Sequence, residues 1–281
     1  MKVLFLAAHA DDIEVTAPNT VKYFIDAGHE VIMSLATCDE YAWLYAKQEP
    51  DFKGARQAQI RINEMNRAAR AYGLDIDGKP LLKLHWLGWI DGYVPLSRKA
   101  LVKLKIYLQD LAPDAIFAPD WFPSSDHHND YDNIGVLAYL ACKSLPKIQR
   151  PRMFLWQSWK NNTYFPVTNP GFTFKPVKGH GTQFPPQRLF VKLARVIWWL
   201  LATLRRCRSG GMLAESFRAV SFSPDENRSK RIKDKIKKAF FDHLLSGPPR
   251  EIYLPIPEDL GLKRDNEIIQ SNWFNYKYRR L

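Results

Sequence analysis

Three ionisable residues follow the first apolar run of the chain. Residues 2–8 read KVLFLAA, and His9, Asp11 and Asp12 come next. Side chains alternate between the faces of a strand, and a buried carboxylate without a partner is strongly destabilising, so these groups cannot all belong to a packed core. The spacing of His9 and Asp12 lets both side chains lean toward one point. An imidazole, a carboxylate and an open position for water are typical of a catalytic zinc site.

This spacing suggests a role for each of the three side chains. Zn²⁺ or another divalent metal lowers the pKa of the water it binds, and a nearby carboxylate that is not a ligand can act as general base. We predict that His9 and Asp12 hold the metal and that Asp11 is the catalytic base. The alternative is that the three residues cap the following helix and pair with surface cations.

Apolar runs and helical periodicities alternate along the first part of the chain. Strands are predicted at residues 2–8, 30–37, 81–88, 114–120 and 154–159, and helices at 18–27, 55–72, 97–111 and 132–145. Such alternation favours a Rossmann-like, doubly wound α/β fold with a mainly parallel sheet and helices on both faces. Ligands bind such sheets beyond the carboxyl ends of the strands. Acidic residues follow the first four predicted strands, so we expect the site at that edge.

The composition changes after residue 159. We predict that residues 1–159 form the α/β catalytic domain. Residues 160–189 are rich in Pro and Gly and indicate a long irregular excursion rather than a sheet element. Residues 229–245 have the pattern of a basic amphipathic helix. Together these segments make residues 160–281 an irregular C-terminal extension that completes the same domain.

The charge is unevenly distributed. The formal net charge is +12, and residues 140–281 carry most of the surplus Lys and Arg. This indicates an anionic partner, with a solubilising surface as the alternative. Residues 190–206, FVKLARVIWWLLATLRR, favour either a helix lying on an anionic membrane or a core or dimer helix. Nucleic acid is a disfavoured partner because no nucleic-acid motif is present. The sequence leaves the oligomeric state open.

The cysteines and the apolar runs indicate in which cellular compartment the protein lies. Cys38, Cys142 and Cys207 have no close spacing and indicate neither a disulfide framework nor a CxxC metal site. The N-terminal apolar run is too short for a signal peptide, and no stretch reaches the roughly 20 apolar residues of a spanning helix. We therefore expect a cytoplasmic protein that can lie peripherally at a membrane.

Several segments resemble, in order, the motifs of the PIG-L/LmbE family of zinc-dependent N-acetylglucosaminyl deacetylases. AAHADD resembles the family's AHPDD, RINE its RxxE, LHWLGWIDG its FLG-x-xDG stretch, HNDYDNIG its HPDH-x-x-x-G segment, and AESFRAV its EAFR stretch. The resemblance covers about residues 2–145 plus the short later piece, and residues 160–210 have no counterpart.

The resemblance implies a metal-dependent N-deacetylase. Such an enzyme hydrolyses the acetamide of an N-acetylated amino sugar, a GlcNAc-type glycoconjugate, by metal-activated water and releases acetate. Carried over by position, His9 and Asp12 are zinc ligands and Asp11 is the general base. Four further residues are predicted to bind substrate: Arg61, Asp91, Asp130 and Tyr131. The alternatives are a helix-surface ion pair for Arg61 and an ordinary turn aspartate for Asp91.

The sequence departs from the motifs at the third metal ligand. Tyr131 stands where that histidine is expected, and Ala10 replaces the proline of the first motif. His127 and His128 lie a few residues upstream. We predict His128 as the third metal ligand and His127 as a catalytic histidine, while Asp126 or Asp130 can also supply oxygen ligands.

The departure leaves a second class of function open. The chain can be a catalytically altered glycan-binding or peripheral membrane module that keeps the fold without the activity. A nucleotide-binding α/β protein is disfavoured because no glycine-rich phosphate loop follows the first strand, where the residues read HADDIEVTAPN.

Overall fold

The structure is a computed structural model that describes residues 1–40, 55–121, 129–158, 160–181, 193, 196–197, 199–204 and 213–222. The strands in these ranges are β1 (Lys2–Ala7), β2 (Glu30–Leu35), β3 (Leu82–Trp86), β4 (Ala115–Pro119), β5 (Arg152–Trp156), β6 (Thr163–Pro166) and β7 (Ala214–Ala219). The named helices are α1 (Asp12–Thr16), α2 (Pro18–Asp26), α3 (Ala55–Ala71), α4 (Arg98–Leu111), α5 (Asn129–Ser144) and α6 (Phe174–Val177), with short 3₁₀ turns at Lys147–Gln149 and Lys178–Gly181.

The strands form one mostly parallel sheet in the order β3-β2-β1-β4-β5-β7-β6. The five strands from β3 to β5 are parallel, and β7 and β6 add antiparallel pairs at one edge. The prediction of a doubly wound α/β fold is confirmed. The chain runs outward in opposite directions from β1 and β4, which makes their carboxyl ends the switch point where such sheets bind ligands.

The continuous apolar run of β1 is explained by helices on both faces of the sheet. Phe5 belongs to the apolar layer beneath α2 and α3, and Leu6 to the layer beneath α4 and α5. Both side chains are fully buried. The positions of a central parallel strand that lie beneath the helices are apolar, because neither face meets water. After Lys2 at the start of β1, the next polar side chains of this segment therefore fall beyond its carboxyl end.

Residues 163–166 form strand β6, so the prediction that residues 160–189 contain no sheet element is wrong. β6 pairs with β7, and Thr163 lies opposite Phe217 in the register. The sequence pattern missed this strand because its partner lies far downstream and its surroundings are rich in Pro and Gly. Residues 229–245 lie outside the described residues, so the assignment of 160–281 to the same domain stays a prediction.

β7 also caps helix α2. The helix begins after Ala17, which offers no side-chain cap, and Pro18 is its first residue. Glu215 reaches across from β7 instead, and its oxygens accept hydrogen bonds from the backbone N–H groups of Asn19 at 3.0 Å and Thr20 at 2.7 Å. A carboxylate at this end satisfies open donors and favours the helix dipole. β7 thereby fixes α2, the second helix after the His9–Asp12 turn.

Two further expectations concern cysteines and membranes. Cys38 and Cys142 are buried and free, whereas Cys207 lies outside the described residues. Among the helices that the structure describes, none has the length and apolar character needed to cross a bilayer.

Candidate active site

The turn between β1 and α1 has an unusual backbone. Asp11 has a φ of 121°, and Asp39, beyond the end of the neighbouring strand β2, has a φ of 57°. Such angles are uncommon for residues other than glycine and cost on the order of 1–3 kcal/mol each. Both aspartates point toward the same guanidinium group, which compensates for the strained backbone.

The His9 side chain is held by two buried acids. Its Nε2 lies 3.0 Å from Oδ1 of Asp91 and 3.2 Å from Oδ2 of Asp130. The acids come from the β3–α4 connection and the first turn of α5, and neither is exposed. The contact with Asp130 is a hydrogen bond, and the contact with Asp91 is an ion pair when the ring is protonated. The ring therefore directs its other nitrogen, Nδ1, away from them.

Asp130 is fixed by the backbone as well. Its Oδ2 accepts a hydrogen bond from the backbone N–H of Gly92 at 2.7 Å, and its Oδ1 accepts one from that of Val94 at 3.1 Å. Asp91 in turn donates its own backbone N–H to Oε1 of Glu40 at 3.2 Å. The support behind His9 is thus made from three separate strand-end segments.

Asp12 lies on the Nδ1 side of His9. Its Oδ2 accepts hydrogen bonds from the backbone N–H groups of Ala8 at 3.0 Å and of His9 at 2.8 Å. Its Oδ1 lies 3.8 Å from Nδ1 of His9 and accepts a 2.6 Å hydrogen bond from the hydroxyl of Tyr131. The ring of Tyr131 also packs edge-on against the imidazole, with centroids 5.2 Å apart. Nδ1 of His9 and the hydroxyl of Tyr131 therefore both lie close to Oδ1 of Asp12.

Arg61 of α3 connects the acids around this turn. Its Nη2 lies 2.9 Å from Oδ2 of Asp11, and its Nη1 donates to Glu64 at 2.8 Å. Its Nε donates to Asp39, and Nη2 also donates to the carbonyl of Ala10. The side chain of Arg61 is buried, so each of these contacts is made in a desolvated environment. Arg61 therefore fixes the position of Asp11.

The charges of the site are strongly coupled. Burial by itself lowers the pKa of His9, but the neighbouring carboxylates, Asp91 first, outweigh it and hold this pKa well above its ordinary value. Burial raises the pKa of Asp11, and the charge of Arg61 opposes the rise. Burial also raises the pKa of Asp39 to about 7, against the same opposing charge. The carboxylate oxygens around His9 favour a positive charge at its ring.

A second buried group lies behind the turn. His180 is fully buried, with Nε2 3.9 Å from Oε2 of Glu14, and neither side chain has a hydrogen-bond partner among the described residues. Burial raises the pKa of Glu14 to about 8 and, together with Arg61 and Arg67, lowers the pKa of His180 well below its ordinary value. His180 stood out in the sequence only as part of an irregular segment, KGHG, and its burial here is decided by tertiary packing.

The predicted site residues separate into two sets. The structure brings together His9, Asp11, Asp12, Arg61, Asp91, Asp130 and Tyr131. His127, His128 and Asp126 lie outside the described residues, and their predicted roles stay predictions. The supporting residues had only partial signals in the sequence, such as the RxxE spacing of Arg61 and Glu64 and the TCDE that contains Asp39. The ion pair between Asp120 and Arg218, with two 2.8 Å contacts, was not predicted.

One group of described residues has the composition of a cation site. His9, Asp91 and Asp130 each offer a ligand atom, these atoms lie within 4.8 Å of one another, and all three residues are buried. The oxygens of Asp12 and Tyr131 lie on the other side of the same imidazole. A cation can therefore be held next to His9.

Comparison with known proteins identifies the family. Residues 4–142 match the family described as PIG-L, GlcNAc-PI de-N-acetylase. This range contains all the site residues described above except His180 and Arg218. Residues 4–142 are similar to this family, and we refer to them as the PIG-L domain. The resemblance drawn from the motifs is confirmed, and the tyrosine at position 131 lies inside the PIG-L domain.

Relatives of the PIG-L domain include named deacetylases. The chain is 26% identical over 152 residues to the diacetylchitobiose deacetylase of Thermococcus kodakarensis, a match covering 53% of this chain and 52% of the relative. It thus spans about half the length of the curated relative it matches. The solved structure of N,N′-diacetylchitobiose deacetylase from Pyrococcus horikoshii is 25% identical with a TM-score of 0.65, covering 79% of this chain and 84% of that one.

The same fold also occurs in an enzyme of another class. The structure of 4-carboxy-2-hydroxymuconate hydratase from Pseudomonas putida has a TM-score of 0.61 at 14% identity, covering 81% of this chain and 99% of that one. This likeness concerns the fold alone. The function of this chain must therefore be argued from its site residues.

Proposed function

We propose that this chain is a metal-dependent N-deacetylase that hydrolyses the acetamide of an N-acetylated amino sugar. The observation that carries the proposal is the orientation of His9. Its Nε2 is held by Asp91 and Asp130, while its Nδ1 faces Oδ1 of Asp12 at 3.8 Å. A metal-binding histidine commonly donates its second ring N–H to a carboxylate in this way, which fixes the ring and increases the basicity of the ligating nitrogen.

The residues on the Nδ1 side fit a divalent metal. Nδ1 of His9, Oδ1 of Asp12 and the hydroxyl of Tyr131 supply nitrogen and oxygen donors of the type that Zn²⁺ accepts. The oxygens of Asp130 already accept hydrogen bonds from Gly92 and Val94, so they are less suited to act as ligands. We therefore assign the metal to the Nδ1 side, with Asp91 and Asp130 as orienting groups rather than substrate ligands.

The bound metal would polarise the amide carbonyl and lower the pKa of water in the site. Asp11 then acts as the general base: its carboxylate accepts a proton from the water whose oxygen attacks the acetamide carbon. When the carbon–nitrogen bond breaks, that proton passes to the amine, and acetate is the second product. Arg61 keeps the Asp11 carboxylate in place through the 2.9 Å contact.

The test of this function measures the acetate that the full chain releases. The protein is stripped with a chelator, reconstituted with Zn²⁺, and incubated with N,N′-diacetylchitobiose or another N-acetylglucosamine conjugate. We expect metal-dependent acetate release that falls by about 100-fold or more in Asp11→Asn. The matched control is Asp26→Asn, which changes an exposed aspartate of α2. Absence of acetate from every conjugate, or equal rates for Asp11→Asn and the parent, would contradict the proposal.

A second candidate is a glycan-binding module without catalysis. Tyr131 favours it, because a phenol is mostly protonated at neutral pH and its hydroxyl donates to Asp12. Under this alternative, the chain binds N-acetylglucosamine conjugates with or without Zn²⁺ and releases no acetate. Calorimetric titration of the stripped and reconstituted protein with the same conjugates separates the two functions.

A further inference from the structure

A helical segment outside the site exposes an apolar surface. Residues 193, 196, 197 and 199–204 are helical. Seven large apolar side chains in this segment are between 40% and 68% exposed: Leu193, Val196, Ile197, Trp199, Leu200, Leu201 and Leu204. Exposed apolar residues on soluble proteins are usually scattered, and a contiguous group of this kind marks an interaction surface.

Four of the exposed residues share one face of the helix. Leu193, Ile197, Leu200 and Leu204 follow the spacing that places side chains in a single stripe, and about 100° of rotation per residue puts Ala202 on the opposite side. Ala202 is buried and belongs to a small apolar cluster with Val167. The helix therefore contacts the body of the protein through a small residue and directs its largest apolar side chains outward. We call the four-residue stripe the outer stripe.

The charged residues in the sequence of this segment all have one sign. Residues 190–208 read FVKLARVIWWLLATLRRCR, and this stretch contains five Lys and Arg residues and no Asp or Glu. The whole chain has a formal net charge of +12. An apolar helix face with tryptophan and flanking cations is the combination that lies in the headgroup region of anionic bilayers.

We propose that the outer stripe docks on an anionic lipid surface, with the helix lying along the plane of the bilayer. Charge repulsion disfavours two other partners for the outer stripe. Pairing of two copies through this face would bring the cationic flanks of both together. The chain's own residues 223–281 contain 13 Lys and Arg against nine Asp and Glu, so they also carry a net positive charge. An anionic bilayer complements both features, because its acidic headgroups attract the cationic flanks and its apolar interior accepts the outer stripe.

The test is flotation of the full-length chain with vesicles. Vesicles of phosphatidylcholine with about one third phosphatidylglycerol are compared with phosphatidylcholine alone. We expect binding to the anionic vesicles that weakens in high salt, because the attraction of exposed charges is screened. Leu200→Glu combined with Leu204→Glu should lower the bound fraction at least tenfold. Ile148→Glu is the matched control, since Ile148 is 94% exposed outside this helix.

Three results would overturn the proposal: failure of the parent to float with anionic vesicles, equal flotation of the double variant, or a lipid-free dimer that the double variant dissociates. The milder Leu200→Ser provides a second variant, and thermal unfolding checks that each variant is folded. The proposal is independent of catalysis, so a chain that floats without releasing acetate leaves it intact, and a chain that releases acetate without floating overturns it alone.

Discussion

The hydroxyl of Tyr131 donates a 2.6 Å hydrogen bond to Oδ1 of Asp12. Asp12 is the carboxylate that faces Nδ1 of His9, so the phenol lies where a third ligand would complete a metal site. The same tyrosine is the position at which the sequence departs from the family motif. The contact shows how the chain accommodates the change: the phenol satisfies the carboxylate oxygen that a metal would otherwise neutralise.

Two substitutions of Tyr131 should change the affinity for Zn²⁺ in opposite directions. Tyr131→His supplies a nitrogen ligand that is neutral at pH 7 and should bind Zn²⁺ about tenfold more tightly or better, while Tyr131→Phe removes the oxygen and should weaken binding about tenfold. Competition with a fluorescent chelator measures both. Tyr164→Phe, a phenol that donates to the carbonyl of Asn161, is the control. Equal affinities for all variants would exclude position 131 from the metal site.

Substitutions of Asp12 and of Asp91 should weaken Zn²⁺ binding to different extents. If the metal lies on the Nδ1 side of His9, Asp12→Asn removes a ligand and abolishes tight Zn²⁺ binding. Asp91→Asn removes only an orienting group and should weaken binding by about 10–100-fold. Isothermal titration with Zn²⁺ compares the variants. A larger loss in Asp91→Asn than in Asp12→Asn would place the metal on the Nε2 side instead.

Loss of Arg61 should destabilise the fold. Arg61→Met leaves the carboxylates of Asp11, Asp39 and Glu64 buried without their common partner, and we expect a decrease of about 3–5 kcal/mol in the free energy of unfolding. Urea denaturation measures it. Arg70→Met, at an exposed position of the same helix, should change stability by less than about 0.5 kcal/mol. Equal stabilities would show that the Arg61 contacts do not support the fold.

His180 should make stability depend on pH below neutrality. It is neutral in the folded state because burial and the charges of Arg61 and Arg67 lower its pKa, although Glu14 lies 3.9 Å away. The unfolded chain binds a proton near the ordinary pKa of 6.5, so stability falls as the pH drops below that value, by up to about 1.4 kcal/mol per pH unit.

His180→Leu tests this dependence. The variant should lose less free energy of unfolding between pH 7.5 and 5.5 than the parent, because leucine binds no proton in either state. His29→Gln, one residue before β2, is the matched control for replacing a histidine elsewhere in the chain. Parallel pH profiles for His180→Leu and the parent would show that His180 is not neutral when folded.

The capping contact of Glu215 should matter for stability rather than chemistry. Glu215→Ala removes the acceptor for the backbone N–H groups of Asn19 and Thr20, and we expect a loss of about 1–3 kcal/mol. Glu215→Gln keeps an acceptor oxygen and should lose less. Thermal unfolding measures stability, and acetate release per folded molecule should stay within twofold of the parent. A large loss of activity in folded Glu215→Gln would point to a direct role.

Strands β1 to β5 were predictable because each has a local sequence pattern. β1 to β5 are apolar runs between amphipathic helices, and each predicted boundary lies within a few residues of the observed one. β6 was not predictable, because it is a short strand whose pairing partner, β7, lies far downstream in the chain. The same distinction applies to Glu215: the sequence marked AESFRAV as a motif, but only the sheet brings it to the start of α2.

The sequence by itself determined the kind of chemistry. His9, Asp11 and Asp12 lie within one turn after a central strand, and the spacing of so short a segment limits where their side chains can point. The tertiary structure decided how these groups are held. Asp91, Asp130 and Arg61 come from distant segments, and only the convergence of strand ends at the switch point places them against His9 and Asp11. Long-range packing therefore orients the side chains of the site, and no local sequence pattern encodes that packing.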